Sequence, residues 1–467
     1  MAQAPAKPLV AIVGATGTGK SDLAVDIARK FNGEIINGDA MQLYRGLPII
    51  TNKLTQEEMR GVPHHLLGCV GLEEATWTVG KFVGEALDVI GDIQRRGKLP
   101  ILVGGTHYYT QSLLFQDALA DEPTLNLNEN SEPLPILEAP TDVILARLRE
   151  VDPVMADRWH PNERRKIQRS LEIYLRTGKP ASQVYDEQRI RQDGSPRLAQ
   201  DGPASTHPGL RFPTLVFWVH ANKDVLHPRL DGRVEKMLNK GLLSEVQELC
   251  DFQKSYESRT DTKIDQSRGI WVSIGYKEFR DYQDALAQVP QVPSELAKLM
   301  TASVEKTQAA TRQYANRQIK WIRIKLLNAL LSAGQKSNIF LLDGSNLSKW
   351  EDEVTQTAAT VTERFLSGQT LPEPSTLSSF AAEMLTPKRA YDLAKRPDLW
   401  QKRVCETCGT VAVTENDWTL HTKSRAHRKA VGARKKRENT QGTPQENQKA
   451  LQADTDDMRE GCAESLP

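Results

Sequence analysis

Gly14-Ala15-Thr16-Gly17-Thr18-Gly19-Lys20-Ser21 fits the pattern G-x-x-x-x-G-K-[ST], a spacing suited to holding phosphate. Glycines let backbone N–H groups turn inward around phosphate oxygens. Lys20 brings a mobile positive charge, and Ser21 opens a helix whose N-terminus favours anions. The Ser21 hydroxyl can ligate Mg²⁺ or hydrogen-bond a phosphate. The loop is of the ATP-binding, nucleotide-binding type, but its pattern specifies phosphate and not ATP hydrolysis. A hydrolase or kinase wants a carboxylate after a later apolar strand to hold Mg²⁺. Here Ile101-Leu102-Val103 runs into Gly104-Gly105-Thr106 instead.

Asp39 follows the run Glu34-Ile35-Ile36-Asn37-Gly38, at the carboxyl end of a second strand candidate. Ligands bind in that crevice in open α/β sheets. A carboxylate there can hold a metal, orient a ligand or accept a proton; a helix N-cap is the competing reading. Thr106, at another strand end, can donate to a phosphate or to a reacting centre, or simply cap a helix. Arg164, Arg165, Lys166 and Arg169 crowd one helical stretch, within reach of a polyanion. Arg268 and the run Thr311-Arg312-Gln313-Tyr314-Ala315-Asn316-Arg317-Gln318 add arginines beside Tyr, Gln and Asn, a mixture that fits an RNA backbone.

Cys405-x₂-Cys408-x₁₂-His421-x₅-His427 has the ligand types and spacing of a structural Zn²⁺ site. The spacing puts the two Cys on a knuckle and both His on a helix, with Trp418 supplying much of a very small core. So short a module needs its metal to fold. Four protein ligands leave no open position, so the ion is structural. The basic residues that follow, from Lys423 to Arg437, form a patch able to bind phosphate, with a solvated tail or an import signal as the plain readings.

These groups need elements to position them. Leu9–Val13, Glu34–Asn37, Pro100–Val103, Leu215–Val219 and Ile339–Leu342 read as buried strands. Ser21–Phe31, Val79–Arg96, Thr141–Thr177, Pro228–Leu249 (broken near Gly241) and Ser294–Leu331 read as helices. The alternation predicts an α/β fold with a mostly parallel sheet. Segments 117–140 and 186–210 read as irregular, and Ser367–Ser378 as a linker. The expected boundaries are a disordered start (1–8), a core in two parts (9–140 and 206–366), a helical insert (141–205), a linker (367–394), a finger with its basic extension (395–438) and a disordered tail (439–467).

The 467 residues give room for about three domains. No run of about 20 apolar residues spans a membrane. Five Cys argue against a disulfide-stapled secreted chain. A net charge of +1 says little about nucleic acid, because the basic groups are clustered.

The chain resembles the tRNA dimethylallyltransferase family, in its eukaryotic form with an added C-terminal zinc finger. The resemblance is collinear over about residues 9–345 and extends through the finger. It is carried by Gly14–Ser21, Asn37-Gly38-Asp39-Ala40-Met41-Gln42-Leu43-Tyr44, Gly61-Val62-Pro63-His64-His65 and Gly104-Gly105-Thr106-His107-Tyr108-Tyr109. His160–Lys166, Ile274-Gly275-Tyr276-Lys277-Glu278 and Tyr314–Gln318 continue it.

The resemblance implies a P-loop NTPase-like core with an inserted helical domain. It implies transfer of the dimethylallyl group from its diphosphate to N6 of adenosine 37 in the anticodon stem-loop. Asp39 would accept the N6 proton, Gly14–Ser21 would hold the diphosphate with Mg²⁺, and Thr106 and Arg268 would stabilise it. Gln42, Arg164, Arg165, Lys166 and Arg317 would meet tRNA. The alternatives are a small-molecule or nucleoside kinase with a nucleic-acid-binding finger, and a non-catalytic RNA-binding protein. Cytoplasm and nucleus are the expected compartments, the mitochondrion a third, and a monomer is the simplest state.

Overall fold

The computed structural model describes residues 4–116, 134–193, 209–288, 292–387 and 399–441. Segment 117–133, residues 194–208 of the stretch 186–210 read as a loop, and the tail beyond 441 lie outside the described residues. By density of contacts the chain forms two compact units, Met1–Thr124 with Gly194–Asp392, and Leu125–Asp193 with Leu393–Pro467.

The first unit is built on six strands: β1 (Leu9–Gly14), β2 (Gly33–Asn37), β3 (His64–His65), β4 (Leu99–Val103), β5 (Thr214–His220) and β6 (Ile339–Asp343). All pair in parallel, in the order β3-β2-β4-β1-β5-β6. β1, β2, β4 and β5 are buried along their whole length. Parallel strands covered on both faces read as such continuous apolar runs, which is why five of them were visible in the sequence. β3 was not, because two histidines carry no apolar pattern.

Side chains alternate between two cores, as the strand period requires. On one face Leu9, Ala11, Val13, Leu102 and Trp218 pack with Phe82, Ala86 and Ile90 of the helix Val79–Arg95. On the other, Val10, Ile12, Ile101 and Phe217 pack with Leu23, Ala24 and Ile27 of helix α1 (Lys20–Lys30). Each fully buried aliphatic side chain here contributes about 1.5–3 kcal/mol. Helix α2 (His107–Leu114) follows β4, helix α3 (Lys223–Lys240) follows β5, and the long helix α4 (Pro293–Trp321) follows later. Gly241, at φ 106, ends α3 in the left-handed region, at the break expected from the sequence.

Two segments differ from the sequence reading. Residues 181–193 are helical where a loop was expected to begin at 186. Part of the expected linker is packed: Ser379–Met384 is a helix whose Ala381 and Met384 are buried in the first core, because its apolar residues recur at helical spacing. Among the described residues no helix is long and apolar enough to cross a membrane.

The second unit joins the helices Thr141–Val151, Pro153–Arg158, Arg164–Thr177 and Ala181–Asp193 to the Cys/His module. Ile144, Leu148, Met155, Ile167 and Leu171 are buried between the helices. Asp152, 1% exposed, ties two of them together, accepting from Met155 N at 3.1 Å and from Ser182 N at 2.8 Å. The module is the hairpin β7 (Trp400–Val404) and β8 (Val411–Thr414) followed by two helices. It is not a separate third body. Lys402 Nζ donates to Ala156 O at 3.1 Å, and the Arg158 guanidinium lies 4.1 Å from the Trp400 ring centre.

Candidate active site and metal centre

The carboxyl ends of β1, β2 and β4 open onto a cleft of about 1120 Å³. The phosphate-loop residues Thr16–Ser21 line it, together with Asp39, Gln42, Thr106 and Arg317. The loop is internally braced: Thr18 Oγ1 and Lys20 Nζ donate to Ala15 O at 2.9 and 2.7 Å. Burial pushes the Lys20 ammonium down to about 8, with Asp39 working in the opposite direction and Arg233 adding to the depression.

Asp39 sits in a short hydrogen-bonded turn. Its backbone N–H donates to Asn37 Oδ1 at 3.0 Å, and its Oδ1 accepts from Met41 N at 3.0 Å. Asn37 in turn donates to Asp39 O and to Leu66 O, which fixes the turn to the neighbouring loop. Desolvation raises the carboxyl pKa; the Met41 N–H and the Lys20 charge oppose it without cancelling it. Raised basicity in a carboxylate facing a cleft suits proton transfer. Thr106 Oγ1 accepts from Ala40 N at 3.0 Å, and its hydroxyl is also hydrogen-bonded with the Tyr314 phenol in the same cleft, where its hydrogen can turn to a ligand. Thr106 and the Asp39 turn are thus one hydrogen-bonded unit. Gly105 makes room for it, since a Cβ there would lie 2.9 Å from Asp39 Oδ2 and 2.6 Å from Gln318 Nε2.

Arg268 is not among the described residues lining this cleft. It is 62% exposed and pairs with Asp265 Oδ2 at 2.7 Å. The turn Gly269–Val272 that follows buries Ile270 and Trp271, which leaves Arg268 outside. Arg233 touches the phosphate loop directly: its Nη2 donates to Thr16 Oγ1 at 2.7 Å. Burial lowers its pKa, and Asp39 works against that effect. Sequence reasoning missed it, yet a signal existed: Arg229 and Arg233 are four apart on the helix after β5, so they share a face.

Of the residues assigned to RNA, Gln42 lines the cleft, but its amide donates to Thr51 O and Asn52 O at 3.2 and 3.0 Å. Arg317 also lines it. In the second unit, Arg164 is spent on Ala139 O, Leu137 O and Thr141 Oγ1, holding the chain before the first helix. Lys166 pairs with Glu163, and Arg165 is exposed.

The Cys/His module brings its four ligand atoms within 4.8 Å of one another, an arrangement that could hold a metal ion. Cys405 Sγ lies 3.6 Å from His427 Nδ1, and Cys408 Sγ lies 3.3 Å from His421 Nε2. The two histidines do not share a helix as expected. His421 lies in the last turn of Glu415–Thr422 and His427 in the first turn of Arg425–Gln441, because Ser424 interrupts between them and its Oγ accepts from His427 N at 3.1 Å. Trp418 is half-buried and lies under Arg403.

The family model described as IPP transferase matches residues 42–325. The chain belongs to the IPP transferase family. Among relatives of this IPP transferase, the tRNA dimethylallyltransferase of Schizosaccharomyces pombe is 37% identical over 451 residues, covering 92% of this chain and 96% of that one. The human tRNA dimethylallyltransferase is 34% identical over 90% of this chain and 85% of its own. A crystal structure of a eukaryotic dimethylallyltransferase acting on tRNA superposes with a TM-score of 0.71 at 33% identity, covering 93% of this chain and 99% of that chain.

Proposed function

We propose that this IPP transferase moves the dimethylallyl group from dimethylallyl diphosphate to N6 of adenosine 37 in tRNA, releasing diphosphate. The observation that carries the reading is one cleft in which a phosphate loop faces a desolvated carboxylate and a hydroxyl, Asp39 and Thr106. The named relatives supply the substrate class. A kinase or a purely RNA-binding platform accounts for neither the Asp39–Thr106 unit nor the family match.

N6 of adenine is a weak nucleophile, because its lone pair is delocalised into the ring. The allylic C–O bond breaks with its electron pair leaving on the diphosphate. The N6 lone pair forms the new C–N bond, and the N6 proton passes to Asp39. The loop N–H groups, Lys20 and Arg233 hold the diphosphate where its charge develops, the place where fixed dipoles and charges have most leverage. Thr106 donates to the same leaving group. Ser21, beside Lys20 in the cleft, is the residue suited to hold Mg²⁺, which when bound spreads the charge of the leaving diphosphate.

The adenine must leave its stack to reach Asp39, at a cost of a few kcal/mol that an anticodon loop keeps low. Arg317 and Gln42 lie on the cleft and Arg165 on the helical unit as RNA contacts. Zn²⁺ suits the two thiolates and two imidazoles of Cys405, Cys408, His421 and His427, whose S···N spacings of 3.3–3.9 Å fit tetrahedral bond lengths. The basic helix after it would add backbone contacts, and its Arg434–Arg437 run is the feature consistent with nuclear as well as cytoplasmic residence. The test incubates the full chain with dimethylallyl diphosphate, Mg²⁺ and unmodified tRNA carrying A36-A37-A38. Mass analysis should find one isopentenyl group on A37. No adduct, together with ATP-dependent phosphorylation of a nucleoside, contradicts the reading.

A further inference from the structure

A phosphate loop grips phosphate oxygens and does not read what the diphosphate is attached to. An allylic diphosphate and a nucleoside diphosphate therefore compete for the same N–H groups. Discrimination must come from contacts beyond the loop. The sheet order gives the loop two flanks. On one side of β1 stand β4 and β2, carrying Thr106 and Asp39 at their carboxyl ends. On the other stand β5 and β6, which end at His220 and Asp343 and run on into Ala221 and Gly344. The reacting carbon belongs on the first flank, within reach of Asp39. The second flank is the rest of the crevice at the strand ends, where sheets of this kind accommodate larger ligands.

That second flank is filled by the protein itself. The six-membered ring of Trp350 lies against Gly19, where a Cβ would fall 2.3 Å from its Cη2. The same ring lies against Gly344, where a Cβ would fall 2.7 Å from its Cζ3. Only glycine at both positions admits the indole. Trp350 lines the cleft beside Leu347 and also packs on the core beneath α1.

Its segment is tied down. Arg229 donates from Nη1 to Gly344 O at 2.8 Å and from Nη2 to Ser345 O at 2.6 Å. Gly344 N donates to His220 O at 2.7 Å, and Asn222 N to Ser345 Oγ at 2.8 Å. Arg229 lines the cleft, yet it spends both terminal nitrogens on this loop.

We propose that Trp350 makes the phosphate loop selective for a short allylic diphosphate over nucleoside di- and triphosphates, by occupying the flank that ribose and base would need. Arg229 is the positioning residue that holds it there. The inference rests on the reading that the loop takes the donor's diphosphate.

Titration calorimetry on the full chain, with the magnesium salts of pyrophosphate, dimethylallyl diphosphate and ADP, separates the two. Wild type should bind pyrophosphate and dimethylallyl diphosphate, with ADP weaker by about tenfold or more. Trp350→Ala should narrow the gap between pyrophosphate and ADP by about tenfold, through tighter ADP binding. Trp350→Leu, which keeps apolar packing on the core, should act in the same direction and covers the case in which the alanine variant fails to fold. Arg229→Lys should shift the same ratio by less. Wild type binding ADP as tightly as pyrophosphate overturns the inference, as does an unchanged ratio in a folded Trp350 variant. Failure of wild type to bind either pyrophosphate or dimethylallyl diphosphate overturns the diphosphate reading itself, and the inference with it.

Discussion

Gln318 holds Thr16 across 302 residues of sequence: its Oε1 accepts the Thr16 backbone N–H at 2.8 Å, while its Nε2 donates to Gly105 O at 2.8 Å. One buried amide on α4 thus links the phosphate loop to the turn before Thr106. Gln318→Ala should leave the part-buried Thr16 N–H without this partner and Gly105 O with the longer 3.5 Å contact from the Tyr314 hydroxyl, at about 1–3 kcal/mol of stability. Gln318→Glu should weaken pyrophosphate binding more than the alanine variant does, because it turns a carboxylate toward Gly105 O and adds negative charge beside the loop. Calorimetry against pyrophosphate, with thermal melts alongside, checks both; equal binding by the glutamate variant and wild type would contradict the link.

The two candidate arginines should separate in kinetics. Arg233→Ala removes a buried guanidinium that touches the loop through Thr16, and kcat/KM for the donor should fall by about 10- to 100-fold, the size of a charge-assisted hydrogen bond. Arg268→Ala loses only an exposed pair with Asp265, so the change should stay within about a few fold. The reverse order in steady-state donor kinetics would return the role to Arg268.

Acid stability should depend on Glu34. Its side chain is 2% exposed, with Arg96, Lys98 and His65 around it. The Arg96 hydrogen bond, helped by Lys98 and His65 and opposed by burial, holds its pKa far below the ordinary 4.5. A depressed carboxylate contributes stability that is fully present above the unfolded pKa and is lost as pH falls through the folded one. Stability should therefore decline below about pH 4.5 in wild type, and Glu34→Gln should flatten that decline. At neutral pH the variant should lose about 1–3 kcal/mol, less than for a wholly buried pair, because Arg96 and Lys98 can turn to solvent. Urea unfolding across pH reads both effects.

Metal removal should act on the second unit alone. Chelation, or Cys405→Ala, should unfold the hairpin and its helices, since so small a core cannot hold without the ion. Binding of tRNA should weaken and lose part of its salt dependence, while donor binding to the phosphate loop stays within about twofold. Loss of donor binding on chelation would contradict this division of labour.

What the sequence made legible follows from how local each signal is. Gly14–Ser21, the apolar strands and the Cys/His spacing are contiguous patterns, and each maps onto an element or cluster in the structure. Asp39 and Thr106 could be placed at strand ends, but their joining through Ala40 N needed two strands in register. Arg233, Gln318 and Trp350 reach the cleft from more than 200 residues beyond the phosphate loop; the Arg229–Arg233 spacing marks a shared helix face and the Thr311–Gln318 run a mixture of residue types, but no local pattern says that they meet the loop. Arg268 shows the converse: a buried 3₁₀ turn decides which way its neighbour points, and that turn has no distinct sequence signature.

The central claim is that Asp39 takes the N6 proton in the step that breaks the allylic C–O bond. Single-turnover transfer by Asp39→Asn, with tRNA affinity measured in parallel, tests it most directly. The asparagine keeps the size of the side chain but cannot accept the proton as a base. The rate should fall by about 10²–10⁴-fold with tRNA affinity changed by less than about threefold. In wild type, the acid limb of the rate should lie above the ordinary carboxyl pKa, in line with burial raising Asp39. A variant that transfers at near the wild-type rate, or that loses activity only through lost tRNA binding, would contradict the account.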